Sequence, residues 1–318
     1  MLSADGTFPV IVVAQQQEIS EVVSLELALP DGSELPTWTP GAHIDIAVGA
    51  AGVRQYSLCG DPQDRHRWRI GVLLERDGRG GSRYLHRESA PDNTLTVSLP
   101  RNNFALEPSR NYIFVAGGIG ITPILPMIAA AHAKGATWTL HYGGRTRPSM
   151  AYLDEISEYG SGVRVLPQDE CGLRPLDDIL AGSGPDAQVY CCGPEPLLAA
   201  IESAIEPVDS QRLHVERFRP RSVDEALGPD RDFTVKIAST GTTIRVGEDQ
   251  SIVDALEDAG IMVETSCREG TCASCETPVL EGEICHRDSV LTAHEREQSA
   301  SIMLCVSRAR TDLLVLDL

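Results

Sequence analysis

The chain has 318 residues, 42% of them hydrophobic, with 28 Gly and 20 Pro; this excludes a disordered or fibrous protein and allows two or three domains, each with its own core. A formal net charge of −19 argues against a nucleic-acid partner, because phosphate contacts need Lys and Arg clusters that occur nowhere in the sequence. The start, Met1-Leu-Ser-Ala-Asp-Gly-Thr-Phe-Pro9, has no basic patch or apolar targeting core, and no apolar run nears the ~20 residues of a membrane span, so a cytoplasmic protein with no membrane partner is expected.

Residues 10 to 106 alternate apolar and polar over short stretches, as in Val10-Ile-Val-Val13, Val22-Val-Ser-Leu-Glu-Leu27, His43-Ile-Asp-Ile-Ala-Val48 and Leu95-Thr-Val-Ser-Leu99. Gly and Pro punctuate them, which predicts an antiparallel barrel or sandwich. Within this segment lie Arg54-Gln-Tyr-Ser57 and Gly78-Arg-Gly-Gly-Ser82, the latter leading into Tyr84-Leu-His86. A Gly-Gly-Ser turn at a helix start offers backbone N–H groups and a hydroxyl to a phosphate, and an arginine can pair with it. Taken alone, such turns are mostly only turns.

Residues 110 to 218 change period. Tyr112-Ile-Phe-Val-Ala116 reads as a buried strand, followed by Gly117-Gly-Ile-Gly-Ile-Thr-Pro123 and an apolar helix over Ile124 to His132. Strand, glycine turn and helix in that order bind phosphates in α/β folds. Further strands are predicted at Trp138–Tyr142, Val163–Leu166 and Gln188–Cys192, and helices at Ala151–Glu158 and Pro196–Ala204, an alternation that indicates a parallel doubly wound sheet. The spacing of Gly117, Gly118 and Gly120 is not G-x-G-x-x-G. Cys192-Gly-Pro194 follows a later strand, at the edge where doubly wound folds place ligands.

Residues 219 to 231 carry two prolines and a glycine without periodicity and read as a linker. Phe233–Ile237 and Thr243–Val246 flank a Ser-Thr-Gly turn and predict a hairpin; Ser251-Ile-Val-Asp254 resembles a capping box opening a helix that Gly260 ends. Cys267, Cys272, Cys275 and Cys305 then follow at the spacing C-x4-C-x2-C-x29-C, the plant-type pattern for a 2Fe-2S cluster, which moves one electron at a time. Structural zinc usually takes paired short knuckles, whereas here three ligands crowd one loop. Nine cysteines in 318 residues do not describe a small secreted disulfide scaffold either. From Pro229 to Leu318 there are seventeen acidic and eight basic residues, a face that steers a basic electron acceptor or only maintains solubility.

Arg54-x-Tyr-Ser57, Gly117-Gly-Ile-Gly-Ile-Thr-Pro123, Cys192-Gly-Pro194 and the four cysteines, in that order, resemble the phthalate dioxygenase reductase family over nearly the whole chain. Ser98-Leu-Pro-Arg-Asn-Asn-Phe104, His214-Val-Glu-Arg-Phe218, His286-Arg-Asp288 and the ending Val315-Leu-Asp-Leu318 add to the match. The resemblance implies a flavin-binding antiparallel β-barrel over 1–107, a doubly wound α/β NAD(P)-binding domain over 108–221, a linker over 222–231 and an α+β ferredoxin domain of β-grasp type over 232–318. It implies that Arg54 and Ser82, with Gly81, hold the flavin phosphate, that Tyr56 and Ser57 line the isoalloxazine, and that Phe218 packs near the ring. Gly117, Gly118, Gly120 and Thr122 would approach the pyrophosphate, and Cys192 with Gly193 the nicotinamide; Ser57 and Cys192 are then the residues at the chemistry. Ordinary core packing and turn chemistry are the competing readings for these side chains. Pro100-Arg-Asn-Asn-Phe104 replaces the Gly-Pro-x-Gly-x-Phe element, as in members that bind FMN rather than FAD. Cys59, Cys171 and Cys191 are read as structural.

Three positions depart from the family pattern. After the strand ending at Tyr142 the sequence runs Gly143-Gly-Arg-Thr-Arg-Pro148, without the acid of NADH-preferring relatives, so Arg145 and Arg147 are candidates for a 2′-phosphate and the choice between NADH and NADPH stays open. Cys285 stands where relatives commonly carry an acid and is read as a spectator thiol or an oxidation liability, not a ligand. Ala273 replaces a usual glycine, which is tolerated if its φ lies below zero. The resemblance implies an NAD(P)H-dependent reductase: nicotinamide gives two electrons as hydride, the cluster accepts one, and a flavin between them handles both. The expected acceptor is a separate terminal oxygenase of Rieske type, with a haem-thiolate monooxygenase as the alternative and a redox-sensing regulatory module as a different class; the expected state is a monomer.

Overall fold

The computed structural model describes residues 6–173, 176–181, 184, 186–205, 210–221 and 230–318, so all of the predicted linker at 222–231 except Asp230 and Arg231 lies outside the described residues. The chain forms two compact units, Met1–Glu216 and Arg217–Leu318, dividing ahead of the expected boundary at 221.

The first unit opens with strands β1 (Thr7–Ile19), β2 (Val22–Ala28), β3 (His43–Ala47), β4 (Val53–Ser57), β5 (Trp68–Leu73) and β6 (Thr94–Ser98), with helix α1 (Gly81–Glu88) between the last two. They pair antiparallel in the order β4-β3-β6-β1-β2-β5, and a bridge between Leu58 and Ile70 joins the two ends of the sheet into a barrel. The period-2 pattern is the reason: Val10 and Val12, Leu25 and Leu27, Ile44 and Ile46, and Ile70 and Val72 all point into one core around Trp68.

Strands β7 (Asn111–Gly117), β8 (Thr137–Gly144), β9 (Val163–Pro167), β10 (Gln188–Cys192) and β11 (Leu213–Glu216) then form a wholly parallel sheet in the order β11-β10-β7-β8-β9. Helices α2 (Ile121–Ala133), α3 (Leu153–Ser157), α4 (Gln168–Cys171), α5 (Leu176–Ala181) and α6 (Glu195–Ile205) connect the strands. Alternate residues serve opposite faces: Tyr112, Phe114 and Tyr190 pack with α2, whereas Ile113, Val115 and Val189 pack with α5 and α6. The chain reverses direction across the sheet between β7 and β10, which makes their carboxyl ends the switch point where such folds bind ligands. Tyr152 fastens sheet to barrel: its hydroxyl is hydrogen-bonded to Ser24 at 2.9 Å and stands where a Cβ on Gly71 of β5 would be, 2.3 Å away.

In the second unit, β12 (Phe233–Ile237), β13 (Thr243–Val246), β14 (Glu276–Glu281), β15 (Ile284–Cys285), β16 (Ser301–Met303), β17 (Arg308–Ala309) and β18 (Leu313–Leu316) accompany helices α7 (Ile252–Asp258) and α8 (Ala293–Gln298). The main sheet runs β13-β12-β18-β14-β16; β12 and β18 are parallel and their neighbours antiparallel, with Ile252, Val253 and Leu256 of α7 in the core, a β-grasp. Ser251 caps α7 as a capping box with Asp254, and Gly260 follows at φ +79. Among the described residues no helix is long and apolar enough to cross a membrane.

Candidate functional site

The three sets of predicted residues occupy distinct places. In the barrel, β4 carries Arg54, Tyr56 and Ser57, and α1 begins at Gly81 with no side-chain cap on its N-terminal N–H groups. Gly80, at φ +95, turns the chain into this helix. A Cβ on Gly81 would stand 2.6 Å from Cγ of Arg54 and 3.1 Å from its Nε, so only glycine lets the arginine lie across the helix start. That is a cradle for a phosphate: free helix N–H groups, a guanidinium and the Ser82 hydroxyl, which accepts from the Glu75 N–H at 3.0 Å. Arg54 itself donates to the Val53 carbonyl at 2.7 Å. Tyr56 packs on the barrel core, and burial pushes its phenol well above the ordinary value.

At the switch point, the glycines are there because two loops touch. A Cβ on Gly120 would lie 2.3 Å from the Cys192 carbonyl oxygen, one on Gly117 2.7 Å from Cδ of Pro194, and one on Gly193 3.0 Å from Cα of Gly117. Gly118, at φ +55, points into open space. The turn over Gly118–Gly120 is a 3-10 turn running into α2, which explains a glycine spacing unlike the ordinary dinucleotide fingerprint. Thr122 is buried; its hydroxyl donates to the Ile119 carbonyl at 3.0 Å and its methyl faces Gly71 of β5, so it shapes the turn from behind.

Sequence reasoning missed Glu216. It ends β11, beside Cys192 in register, and is hydrogen-bonded to Ser57 of the barrel; its Oε2 is buried and has no hydrogen-bond partner among the described residues. Burial pushes its carboxyl up to about 8, while the Ser57 hydrogen bond pulls the other way. Burial, then the neighbouring Glu216 and Cys191, holds the Cys192 thiol well above its ordinary value, so it stays a neutral thiol. Ser57, Cys192 and Glu216 thus gather three polar groups where barrel and switch point meet. The only sequence signal for Glu216 was its place in His214-Val-Glu-Arg-Phe218. Phe218 belongs to the second unit and its ring is exposed.

In the second unit, the loop between α7 and β14 brings Cys267, Cys272 and Cys275 to Cys305, which follows β16. The four sulfurs come within interacting distance of one another, Cys267 with Cys272 and Cys305, and Cys275 with Cys305, and the neighbouring Cys272 and Cys305 side chains hold the Cys267 thiol well below its ordinary value. The Glu269 and Thr271 N–H groups point at the Cys267 sulfur at 3.3 and 3.5 Å, as expected for a sulfur that carries negative charge. Among the described residues no three His, Cys, Asp or Glu side chains converge as on one metal ion; a two-iron cluster takes two thiolates at each iron and needs no such convergence. Gly270, at φ +70, is irreplaceable here, since a Cβ would stand 2.6 Å from Cγ2 of Val306 and 3.0 Å from Cα of Asp288. Arg268 clamps the loop to α7 through Asp254, at 3.0 Å, and Glu257. Ala273 has φ +57, so the condition for its tolerance, a φ below zero, is not met: the loop holds an alanine in the left-handed region. Cys285 is buried in β15 beside Arg287 and stands outside the group of four sulfurs.

Two sequence families match the chain: a 2Fe-2S iron-sulfur cluster binding domain over residues 235–310 and an oxidoreductase NAD-binding domain over 114–203. The phthalate 4,5-dioxygenase oxygenase reductase subunit of Pseudomonas putida is 39% identical over 326 residues, covering 99% of this chain and 98% of the relative. The chain belongs to the phthalate dioxygenase reductase family. The solved phthalate dioxygenase reductase, a modular structure for electron transfer from pyridine nucleotides to a 2Fe-2S centre, superposes with a TM-score of 0.71 at 35% identity, covering 99% of this chain and 98% of its own. An intact type IV self-sufficient cytochrome P450 monooxygenase gives a TM-score of 0.90 at 42% identity; the match covers 98% of this chain but only 41% of that one. As a phthalate dioxygenase reductase family member, the chain is an NAD(P)H-dependent oxidoreductase whose cofactors are FMN and a 2Fe-2S cluster, passing electrons to a separate oxygenase. The phosphate cradle at Arg54 and the four neighbouring sulfurs fit those groups.

Proposed function

We propose that NAD(P)H binds at the switch point with its pyrophosphate against Gly117, Gly118 and Gly120 and its nicotinamide beside Cys192 and Gly193. In this reading residues 1–107 bind FMN, 108–221 the nucleotide and 232–318 the cluster, with 222–231 as the linker. Arg54, Gly81 and Ser82 hold the FMN phosphate, Tyr56 packs against the ring system, and Ser57 faces its reactive edge. When bound, FMN accepts a two-electron hydride and releases electrons singly, and the cluster carries one at a time. The protein's part is placement. The neutral Cys192 thiol fills the floor of the nicotinamide site without adding charge. Glu216 holds a proton on its carboxyl up to about pH 8 and keeps the Ser57 hydroxyl oriented. Arg145 and Arg147 stand at the ribose end of the nucleotide and take a 2′-phosphate when one is present. Cys267, Cys272, Cys275 and Cys305 are the cluster ligands.

The observation that supports the reading is the hydrogen bond between Ser57, from the barrel, and Glu216, which lies beside Cys192 in register at the switch point: the residue assigned to the flavin meets the strand ends assigned to the nicotinamide. The acceptor is a terminal oxygenase of Rieske type, and the protein acts as a cytoplasmic monomer. The close superposition on part of a self-sufficient cytochrome P450 monooxygenase favours a haem-thiolate acceptor as the second reading; reconstitution with purified candidates of each type separates them. Cys272→Ser is expected to abolish cytochrome c reduction and spare hydride transfer to the flavin, followed by stopped-flow absorbance. Equal loss of both activities would contradict the scheme.

A further inference from the structure

The loop after β8 contains a pair of charges that the nucleotide reading leaves unexplained. Arg147 does not reach into open solvent: its Nε donates to Oε1 of Glu170 at 3.0 Å and its Nη2 to Oε2 at 2.7 Å, a fork-to-fork pair. The fold enforces the encounter. β9 lies parallel to β8 with Gly144 opposite Pro167, so both strands end at the same edge of the sheet, and α4 begins at Gln168 directly afterwards. The Asp169 N–H donates to the Arg145 carbonyl at 3.2 Å, tying the start of α4 to the arginine loop. On the other side the loop is braced by Thr146 and Ser149, which cap one another, and by Gly144, against which Met150 packs so closely that a Cβ would stand 2.4 Å from its Cγ. Arg145 is exposed and forms no ion pair with a described residue. The two arginines are therefore not equivalent: one is open, the other already holds a carboxylate.

We propose that Glu170 sets the nucleotide choice of this protein, by occupying the guanidinium of Arg147 that the 2′-phosphate of NADPH would otherwise take. The inference rests on the placement of the ribose end at this loop. NADH meets Arg145 and leaves the pair intact. NADPH must draw Arg147 away from Glu170 and then sit with its phosphate close to the released carboxylate. Glu170 is thus both a competitor for the cation and a like charge against the ligand. Each partner keeps the other ionised: the Glu170 hydrogen bond holds the Arg147 guanidinium above its ordinary value, and the Arg147 hydrogen bond holds the Glu170 carboxyl below its own. The competition therefore operates throughout the neutral range. Both side chains are about half exposed, so the pair is modest in strength and NADPH is disfavoured rather than excluded.

The test is calorimetric titration of the flavin- and cluster-loaded protein with 2′,5′-ADP and with 5′-AMP, which differ only in the 2′-phosphate. Glu170→Gln is expected to tighten 2′,5′-ADP by about three- to tenfold, the scale of an exposed charge pair and its repulsion, and to change 5′-AMP by less than about twofold. Measured against Arg147→Ala alone, adding Glu170→Gln should give a smaller gain, the part due to repulsion only, and in the single Glu170→Gln variant the ratio of kcat/KM for NADPH over NADH should rise with the affinity. Equal tightening of both ligands, or none, would overturn the role of Glu170. Should neither Arg145→Ala nor Arg147→Ala weaken 2′,5′-ADP relative to 5′-AMP, the placement of the ribose end itself is wrong. Unaltered flavin and cluster absorbance in each variant shows that the fold is intact.

Discussion

Glu216→Gln should make the protein more stable, and increasingly so as the pH rises. The wild-type carboxyl, ordinarily at 4.5, is pushed up to about 8 by burial at the end of β11. Between these values the folded chain keeps a proton that the unfolded chain has released. Unfolding therefore releases a proton, and stability falls as pH climbs through the window, levelling off above it. At about 1.4 kcal/mol for each pH unit within the window, the effect is on the order of 3 kcal/mol at pH 7 and about 5 kcal/mol above pH 8, both upper bounds. Glutamine keeps an oxygen for the Ser57 hydroxyl and removes the titration. Thermal unfolding of the cofactor-loaded protein, followed by circular dichroism at pH 5, 7 and 9, is the assay. Near-equal Tm values at pH 5 and a Gln variant melting roughly 5–10 °C higher at pH 9 are expected. A gap that does not change with pH, or a wild type that is the more stable at pH 9, would refute the burial argument.

Gly120→Ala is expected to raise the Kd for NADH by about tenfold or more, because the new Cβ would meet the Cys192 carbonyl oxygen at 2.3 Å and force apart the two loops of the proposed site; Gly118→Ala meets nothing within 4 Å and carries only the strain of a φ of +55, about 1 kcal/mol, so it should weaken binding less, and fluorescence titration compares the two. Ala273→Gly should stabilise the cluster loop by about 1 kcal/mol by relieving the φ of +57, read as slower loss of the cluster's visible absorbance in chelator.

Much of this arrangement is legible in the sequence. The barrel strands follow from period-2 alternation, as at Leu25 and Leu27 or Ile44 and Ile46, and the gathering of Cys267, Cys272, Cys275 and Cys305 from their spacing. The switch point can be inferred because a glycine turn after one strand and Cys192-Gly-Pro194 after another must share an edge once the sheet is parallel. What the sequence hides depends on contacts between distant segments. Glu216 is one of 46 acidic residues until β11 is laid beside β10 and its carboxyl meets Ser57, far away in the chain. Likewise Arg147 reads as a free cation until β9 brings Glu170 to it. Ala273 misleads because side-chain identity argues for negative φ, whereas the ligand loop imposes a positive one.

The central claim is that electrons run from NAD(P)H through a flavin to the four-cysteine centre. The direct test is an anaerobic titration of the purified protein with NADH and, separately, NADPH, recording absorbance across the visible range. Bleaching of both the flavin and the cluster bands by about stoichiometric nucleotide is expected. A protein that shows a flavin band but no cluster absorbance, even after reconstitution with iron and sulfide, would contradict the account.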